Sequence, residues 1–243
     1  MIRSLLVLCL LLSSMYGNLW AQDTTKSKPY WLSASEFIFS GGDVSATGGP
    51  LGEEINVNSI VRFTCFFHLQ EQFHYDFNDN IGIYTGLGIR NVGIINDLND
   101  SIKAKQRVYS LGLPLALKLG SLPNKFYVAL GAEVELFFHY KQKVFYDDEK
   151  FKKSEWFSDK VNLVNPSVFL DIHSGRGAYV RFKYYLLDFL VEDKQDIKIF
   201  GNPYPYRPES SKMFYVAIGT TIKAFTGRST KKAQESIDTA FIP

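Results

Sequence analysis

Glu133 and Glu135 stand two residues apart in a stretch, 126–144, that alternates apolar and polar residues. Two carboxylates on one face of a strand are the raw material of acid and base chemistry, as in a glycosidase pair, provided that a cleft admits substrate between them. The four histidines, His68, His74, His139 and His173, have no metal-type spacing such as His-x-x-x-His, so no metal is expected. The glycines of Gly82-x-x-x-Gly86-x-Gly88 do not make a phosphate loop, because no helical pattern follows them. No serine, histidine and acid combine into a nucleophilic set. The chain is therefore read as non-enzymatic and without a cofactor, with a lipid-modifying membrane enzyme as the catalytic alternative.

The elements that would position these residues have a period of two. Candidate strands run over 30–40, 55–69, 81–95, 105–119, 126–144, 161–172, 178–191 and 213–225, eight in all. Several are long enough for the ~9 to 11 residues of a bilayer-spanning strand. Short turn-forming connections at 76–80, 121–124 and 173–177 take turns with long polar ones at 41–54, 96–104, 145–160 and 192–212. That alternation is the pattern of a transmembrane barrel, with short turns on the periplasmic side and long loops outside.

Each strand separates its residues by face. Leu111, Leu113, Leu115, Leu117 and Leu119 oppose Gly112, Pro114, Ala116 and Lys118, while Val180, Phe182 and Tyr184 oppose Arg181 and Lys183. Charges fall on the faces that also carry glycine. The expected fold is all-β, an eight-stranded antiparallel up-and-down transmembrane barrel whose interior is just wide enough for side chains to fill. Its lumen charges would be Arg62, Arg90, Lys118, Glu133, Glu135, Arg181 and Lys183, facing Glu36 and Asp171, with Gly82, Gly86 and Gly88 supplying room. Buried charges must be paired, so Glu133 and Glu135 are read as ion-pairing groups. A soluble lipocalin-like carrier has the same period with an apolar interior, and remains the alternative reading of the alternation.

The N-terminus, one cation followed by Leu5 to Leu12 and a small residue at Ala21, reads as a signal peptide over residues 1–21, with the barrel at 22–225 and a periplasmic tail at 226–243. Export to an outer membrane follows. Once the signal is removed Cys65 is the only cysteine, so no disulfide can form within the chain. The formal net charge of +2 comes from interspersed residues of both signs, which argues against a nucleic-acid partner. Expected partners are outer-membrane lipid and an extracellular ligand or protein at the loops 145–160 and 192–212. The second of these contains Phe200-Gly-Asn-Pro-Tyr-Pro-Tyr-Arg-Pro208, read equally as a stiff aromatic tip suited to recognition or as an exposed loop that its prolines merely stiffen, and the first is read as solvated charge.

Three stretches carry a family likeness. Tyr75-Asp-Phe-Asn-Asp-Asn-Ile-Gly-Ile-Tyr-Thr-Gly-Leu-Gly88, Leu111-Gly-Leu-Pro-Leu-Ala-Leu-Lys118 and Tyr179-Val-Arg-Phe-Lys-Tyr-Tyr-Leu-Leu-Asp-Phe189 resemble the outer-membrane β-barrel (porin-like) family common in Bacteroidota, as a small eight-stranded member. The resemblance implies fold and location and transfers no catalytic residue. The function it leaves is structural or binding, through outer loops over a filled lumen. A narrow pore, or a component of a secretion or uptake complex of the PorT type, is the alternative.

Overall fold

The computed structural model describes residues 29–48, 53–55, 57–99, 101–147 and 149–223. The expected signal peptide and C-terminal tail lie outside the described residues. The strands are β1 (Tyr30–Gly48), β2 (Glu53–Ile55), β3 (Asn58–Ile60), β4 (Arg62–Thr64), β5 (Leu69–Asp76), β6 (Ile81–Asn99), β7 (Ile102–Ser121), β8 (Phe126–Tyr146), β9 (Glu149–Trp156), β10 (Val164–His173), β11 (Ala178–Tyr185), β12 (Ile197–Ile199), β13 (Asn202–Tyr204) and β14 (Tyr206–Lys223). A short 3₁₀ turn spans Glu192–Lys194. All pairings are antiparallel.

The expectation of eight uninterrupted strands in an up-and-down barrel is overturned: twelve segments share one sheet and two more form a separate hairpin. The main path is β10-β11-β14-β1-β5-β6-β7-β8-β9, and β8 pairs in addition with β10. Two physical causes account for the difference. The segment expected as a strand over 55–69 breaks into short pieces, because four residues, 65–68, stand opposite only Glu36 and Phe37 of β1. Phe67 takes a left-handed backbone there, with φ of 65°. Such a bulge re-aims side chains, and His68 turns inward to 3% exposure.

The second cause lies in the connections expected to be loops. Residues 41–48, 96–99 and 102–104 continue their neighbouring strands, and the end of β8 together with β9 fills most of 145–160. Their inward positions carry Val44, Ala46, Leu98, Ile102 and Ala104, which join Ile94, Phe137, Val144, Phe189 and Met213 in an apolar cluster. The alternation thus runs well past the expected strand ends, and burying its apolar side stabilises the extensions at roughly 25 cal/mol per Å². At the opposite end the strands are joined by tight turns such as Asp76 to Ile81 and Ser121 to Phe126, closed by backbone bonds from Phe77 to Ile81 and from Lys125 to Leu122.

The outer surface between these ends is apolar. Phe37, Phe63, Leu87, Leu113, Leu115, Leu117, Leu130, Val164, Phe182 and Ile218 are each exposed by 40% or more. Their chain neighbours point inward and are buried, as the alternating pattern of β7 and β8 records.

Candidate functional site: a buried network of charges

The interior behind that surface is ionic. Arg90 on β6 donates from Nε to Glu36 Oε2 at 3.1 Å, from Nη1 to Glu133 Oε1 at 2.5 Å, and from Nη2 to Gln70 Oε1 at 3.0 Å. Arg181 on β11 holds Asp171 with a two-pronged grip, Nε to Oδ1 at 2.6 Å and Nη2 to Oδ2 at 2.8 Å, and reaches Glu36 Oε1 with Nη1 at 2.7 Å. Lys183 donates to Glu133 Oε2 at 2.8 Å and also to Glu135. Every charged member of this network is exposed by 3% or less.

Four carboxylates, Glu36, Glu133, Glu135 and Asp171, therefore meet three cations, Arg90, Arg181 and Lys183. Phenols complete the anion shells. Tyr179 donates to Glu36 Oε1 at 2.8 Å, Tyr84 to Asp171 Oδ2 at 2.7 Å, and the Tyr185 hydroxyl lies 3.1 Å from both oxygens of Glu135. Hydrogen bonds to charged groups are the strong ones, so a buried cluster satisfied to this degree is rigid.

The remaining expected positions sit apart. Lys118 is buried nearer the tight-turn end, where it pairs with Asp76 and donates to Tyr30 at 3.2 Å. Arg62 is held by an amide, donating to the Asn91 carbonyl at 3.1 Å and to Asn91 Oδ1 at 2.7 Å. Below the network the interior is stacked rings: His74 between Tyr30 and Tyr84, each 5.0 Å away, and His173 between Tyr127 at 4.2 Å and Tyr179 at 4.7 Å. Among the described residues no group of three or more histidines, cysteines or acids could hold a metal ion.

The glycines leave room at the places the charges occupy. A Cβ on Gly88 would lie 3.1 Å from Arg90 Nη1, one on Gly112 would overlap the Glu133 carboxylate, and one on Gly82 would come within 2.5 Å of Asp76 Oδ1. Gly86 differs, since its Cβ would strike the backbone of Glu71 rather than a charge. Gly88→Leu should accordingly cost ~1 to 3 kcal/mol by overpacking, whereas Leu87→Val, at an exposed position, should change little. Denaturant titration of the refolded variants measures both, and a tolerated Gly88→Leu would mean that the pocket around Arg90 has slack.

At the other end the expected binding loops are tied down. Lys153 of β9 lies 2.8 Å from Glu155 and 2.5 Å from Asp196, and Lys160 lies 3.1 Å from Glu155. Burial pushes the Glu155 carboxyl up, but hydrogen bonds from Lys153, Ser158 and Lys160 outweigh it and hold the pKa at about 2. The segment expected as solvated charge is thus a strand with a clamp. The aromatic tip belongs to the hairpin β12-β13, whose turn places Phe200 and Gly201 in the left-handed region. Phe200 packs edge-on against Phe151 at 5.3 Å and Tyr146 at 6.1 Å.

No protein-family model and no curated protein matches the chain. Among solved structures it is similar to the attachment invasion locus protein Ail of Yersinia pestis, described in complex with the heparin analogue sucrose octasulfate, at 13% identity and a TM-score of 0.29, over 78% of this chain and 97% of that one. Neisserial surface protein A gives 10% identity and 0.33 over 81% and 99%. The outer membrane protein OprG of Pseudomonas aeruginosa gives 12% identity and 0.37 over 82% and 98%. Scores this low, spread over diverse proteins, assign no family. The expected membership in the porin-like family common in Bacteroidota is overturned, because no family model matches and the strand count departs from its small eight-stranded form. The chain is an all-β, largely antiparallel protein without an assigned family.

Proposed function

We propose that the chain spans an outer membrane with its apolar sheet face toward lipid, and acts without catalysis, as a structural or binding protein through the end that carries the extended strands. The observation that carries this reading is the inversion of polarity across the wall. Leu113 and Leu115 are about three-fifths exposed, while Arg181, Lys118 and Glu135, on the other side of the same sheet, are fully buried. A soluble lipocalin-like carrier requires the reverse, an apolar interior behind a polar surface. From Tyr109 to Leu119 the outward row of β7 covers eleven positions, the length that a tilted strand needs to cross a bilayer. In this reading residues 1–21 are a cleaved export signal and residues 226–243 a periplasmic tail.

The interior argues against a pore. Among the described residues the space behind the sheet holds the charge network, the stacked rings and the apolar cluster, the arrangement of a side-chain-filled interior. The test is fractionation with reconstitution. The mature protein should be recovered with outer membranes, migrate differently in detergent gels before and after boiling, and give little current in planar bilayers. Recovery in the soluble fraction would defeat the membrane reading, and large, stable, ion-selective openings would favour a narrow pore.

A further inference from the structure

The outward face of β7, β8 and β9 changes character abruptly at one level. Tyr109, His139 and Trp156 stand side by side on the three strands and stack, 5.6 Å from Tyr109 to His139 and 4.4 Å from His139 to Trp156. On one side of this aromatic row lie the leucines of the apolar face. On the other lie cations, with Arg107 opposite Lys141, then Lys105 opposite Lys143 opposite Lys152, then Lys150 beside Phe145. A bulge in β8 at the level of Tyr109 and Ser110 keeps Lys141 and Lys143 on the outward side.

Like charges directly opposite one another destabilise a sheet, and here three lysines form a single cross-strand row. Among the described residues none of these six cations makes an ion pair, whereas Lys103 of the next row does, with Asp97 at 3.5 Å. Burial and then the neighbouring Arg107, Lys150, Lys152 and Lys105 hold the Lys143 ammonium below the usual lysine pKa. Buried Arg107 Nε has no hydrogen-bond partner among the described residues. Lys103, Lys105 and Phe145 also line an open concavity of about 640 Å³, with Asp97 and Asp147 among its other walls. On β1 and β14, by contrast, Asp43 lies opposite Lys212, which pairs with Asp188 at 3.1 Å.

We propose that the face formed by Lys105, Arg107, Lys141, Lys143 and Lys152 is a docking site for phosphate-bearing lipid headgroups in the leaflet on the loop side. The inference rests on the membrane reading above. The argument is position together with charge. Successive outward rows are spaced ~6.5 Å apart along a strand and neighbouring strands ~4.8 Å; on strands tilted ~45° the row of Arg107 and Lys141 stands ~5 Å beyond the aromatics along the membrane normal and the row of Lys105, Lys143 and Lys152 ~9 Å, from within the ~5 to 8 Å headgroup layer to its outer edge. An amphiphile whose chains lie along Leu111 and Leu136 carries its phosphate to these rows. The patch lies on one side of the molecule, so it selects particular neighbours rather than setting the depth of insertion all round.

Trp156 borders the site and reports on it. In mature protein, which has lost Trp20 with residues 1–21, the variant Trp31→Phe reconstituted in phosphatidylcholine vesicles keeps Trp156 as its reporter, and brominated phosphatidic acid should quench it with at least a tenfold preference over brominated phosphatidylcholine, given roughly fivefold per cation near an anionic surface. The variant Lys105→Gln/Lys143→Gln/Lys152→Gln should lose that preference, yet gain stability in zwitterionic detergent through relief of repulsion. With Trp31 as the reporter in Trp156→Phe protein, the two lipids should quench alike. Equal quenching of Trp156 by both lipids would overturn the site and leave the membrane reading standing. Absence of quenching at both tryptophans would defeat both readings. Loss of the preference on adding inorganic phosphate, beyond the effect of chloride at equal ionic strength, would show that the site takes free phosphate and overturn the lipid assignment.

Discussion

Arg181→Ala is expected to lower stability by about 3 to 5 kcal/mol, the cost of removing one partner from a buried ion pair. Arg181 grips Asp171 with two nitrogens, and its guanidinium also lies 4.6 Å from the Phe169 ring centre. Without it, among the described residues, Asp171 keeps the Tyr84 hydroxyl and a distant His173 at 3.9 Å, and Glu36 keeps Arg90 and Tyr179. Arg181→Lys should be intermediate, because a single ammonium cannot reproduce the planar two-pronged grip. Arg181→Met combined with Asp171→Asn should recover much of the loss, since replacing both partners strands no charge. Urea unfolding in micelles or liposomes gives the three values and their coupling. A cost below about 1 kcal/mol for Arg181→Ala, the range of exposed pairs, would mean that water reaches the network and that it does not hold the interior together.

How far this site was legible in the sequence depends on which side of the alternation a residue occupies. Arg90, Glu133, Glu135, Arg181 and Lys183 alternate with apolar neighbours, so period two alone placed them on one face, and the structure brings all five into one network. Tyr84 and Tyr179 carried the same signal, Tyr84 lying between Gly82 and Gly86, but a phenol reads as an aromatic filler until a carboxylate is seen beside it. Arg62 carries the same alternation and meets Asn91 instead, because the bulge at 65–68 displaces its strand. That bulge has no turn-forming residue to announce it. Phe67 adopts its positive φ without glycine, and local propensity gives no warning of a register set by tertiary pairing.

The outer end was the least legible part. Val44, Ala46, Leu98 and Ile102 lie among the polar residues of segments read as loops, and a strand whose two faces are polar and mixed differs little from a loop in composition. What decides the matter is cross-strand burial. Those four side chains meet one another and Met213 in one cluster, a contact between residues far apart in the chain. The clamp of Lys153, Glu155, Lys160 and Asp196 is hidden in the same way, since its members come from two segments brought together only by folding. Charge of both signs in a sequence is compatible with a solvated tip and with a clamp alike. Only the facing segment distinguishes them.

The outward face gives the second large effect. Leu115 lies at the centre of the row Leu111 to Leu119, is 62% exposed, and has Thr85 and Ala132 as its cross-strand neighbours. In a water-soluble sheet a leucine so exposed could be replaced by arginine with a change within ~0.5 kcal/mol, and solubility would improve. At the midplane of a bilayer the same change costs ~2 to 4 kcal/mol, because the guanidinium must be hydrated inside hydrocarbon or drawn toward an interface. The penalty should fade along the row, so that arginine at Leu119, next to the tight turns, costs only ~0 to 1 kcal/mol. It is this depth dependence, rather than any single value, that identifies the solvent of the face. Measured by unfolding in liposomes, Leu115→Arg should therefore be the worst of the series and Leu119→Arg the mildest. A flat series near zero would mean that water, and not lipid, covers these leucines in the native protein.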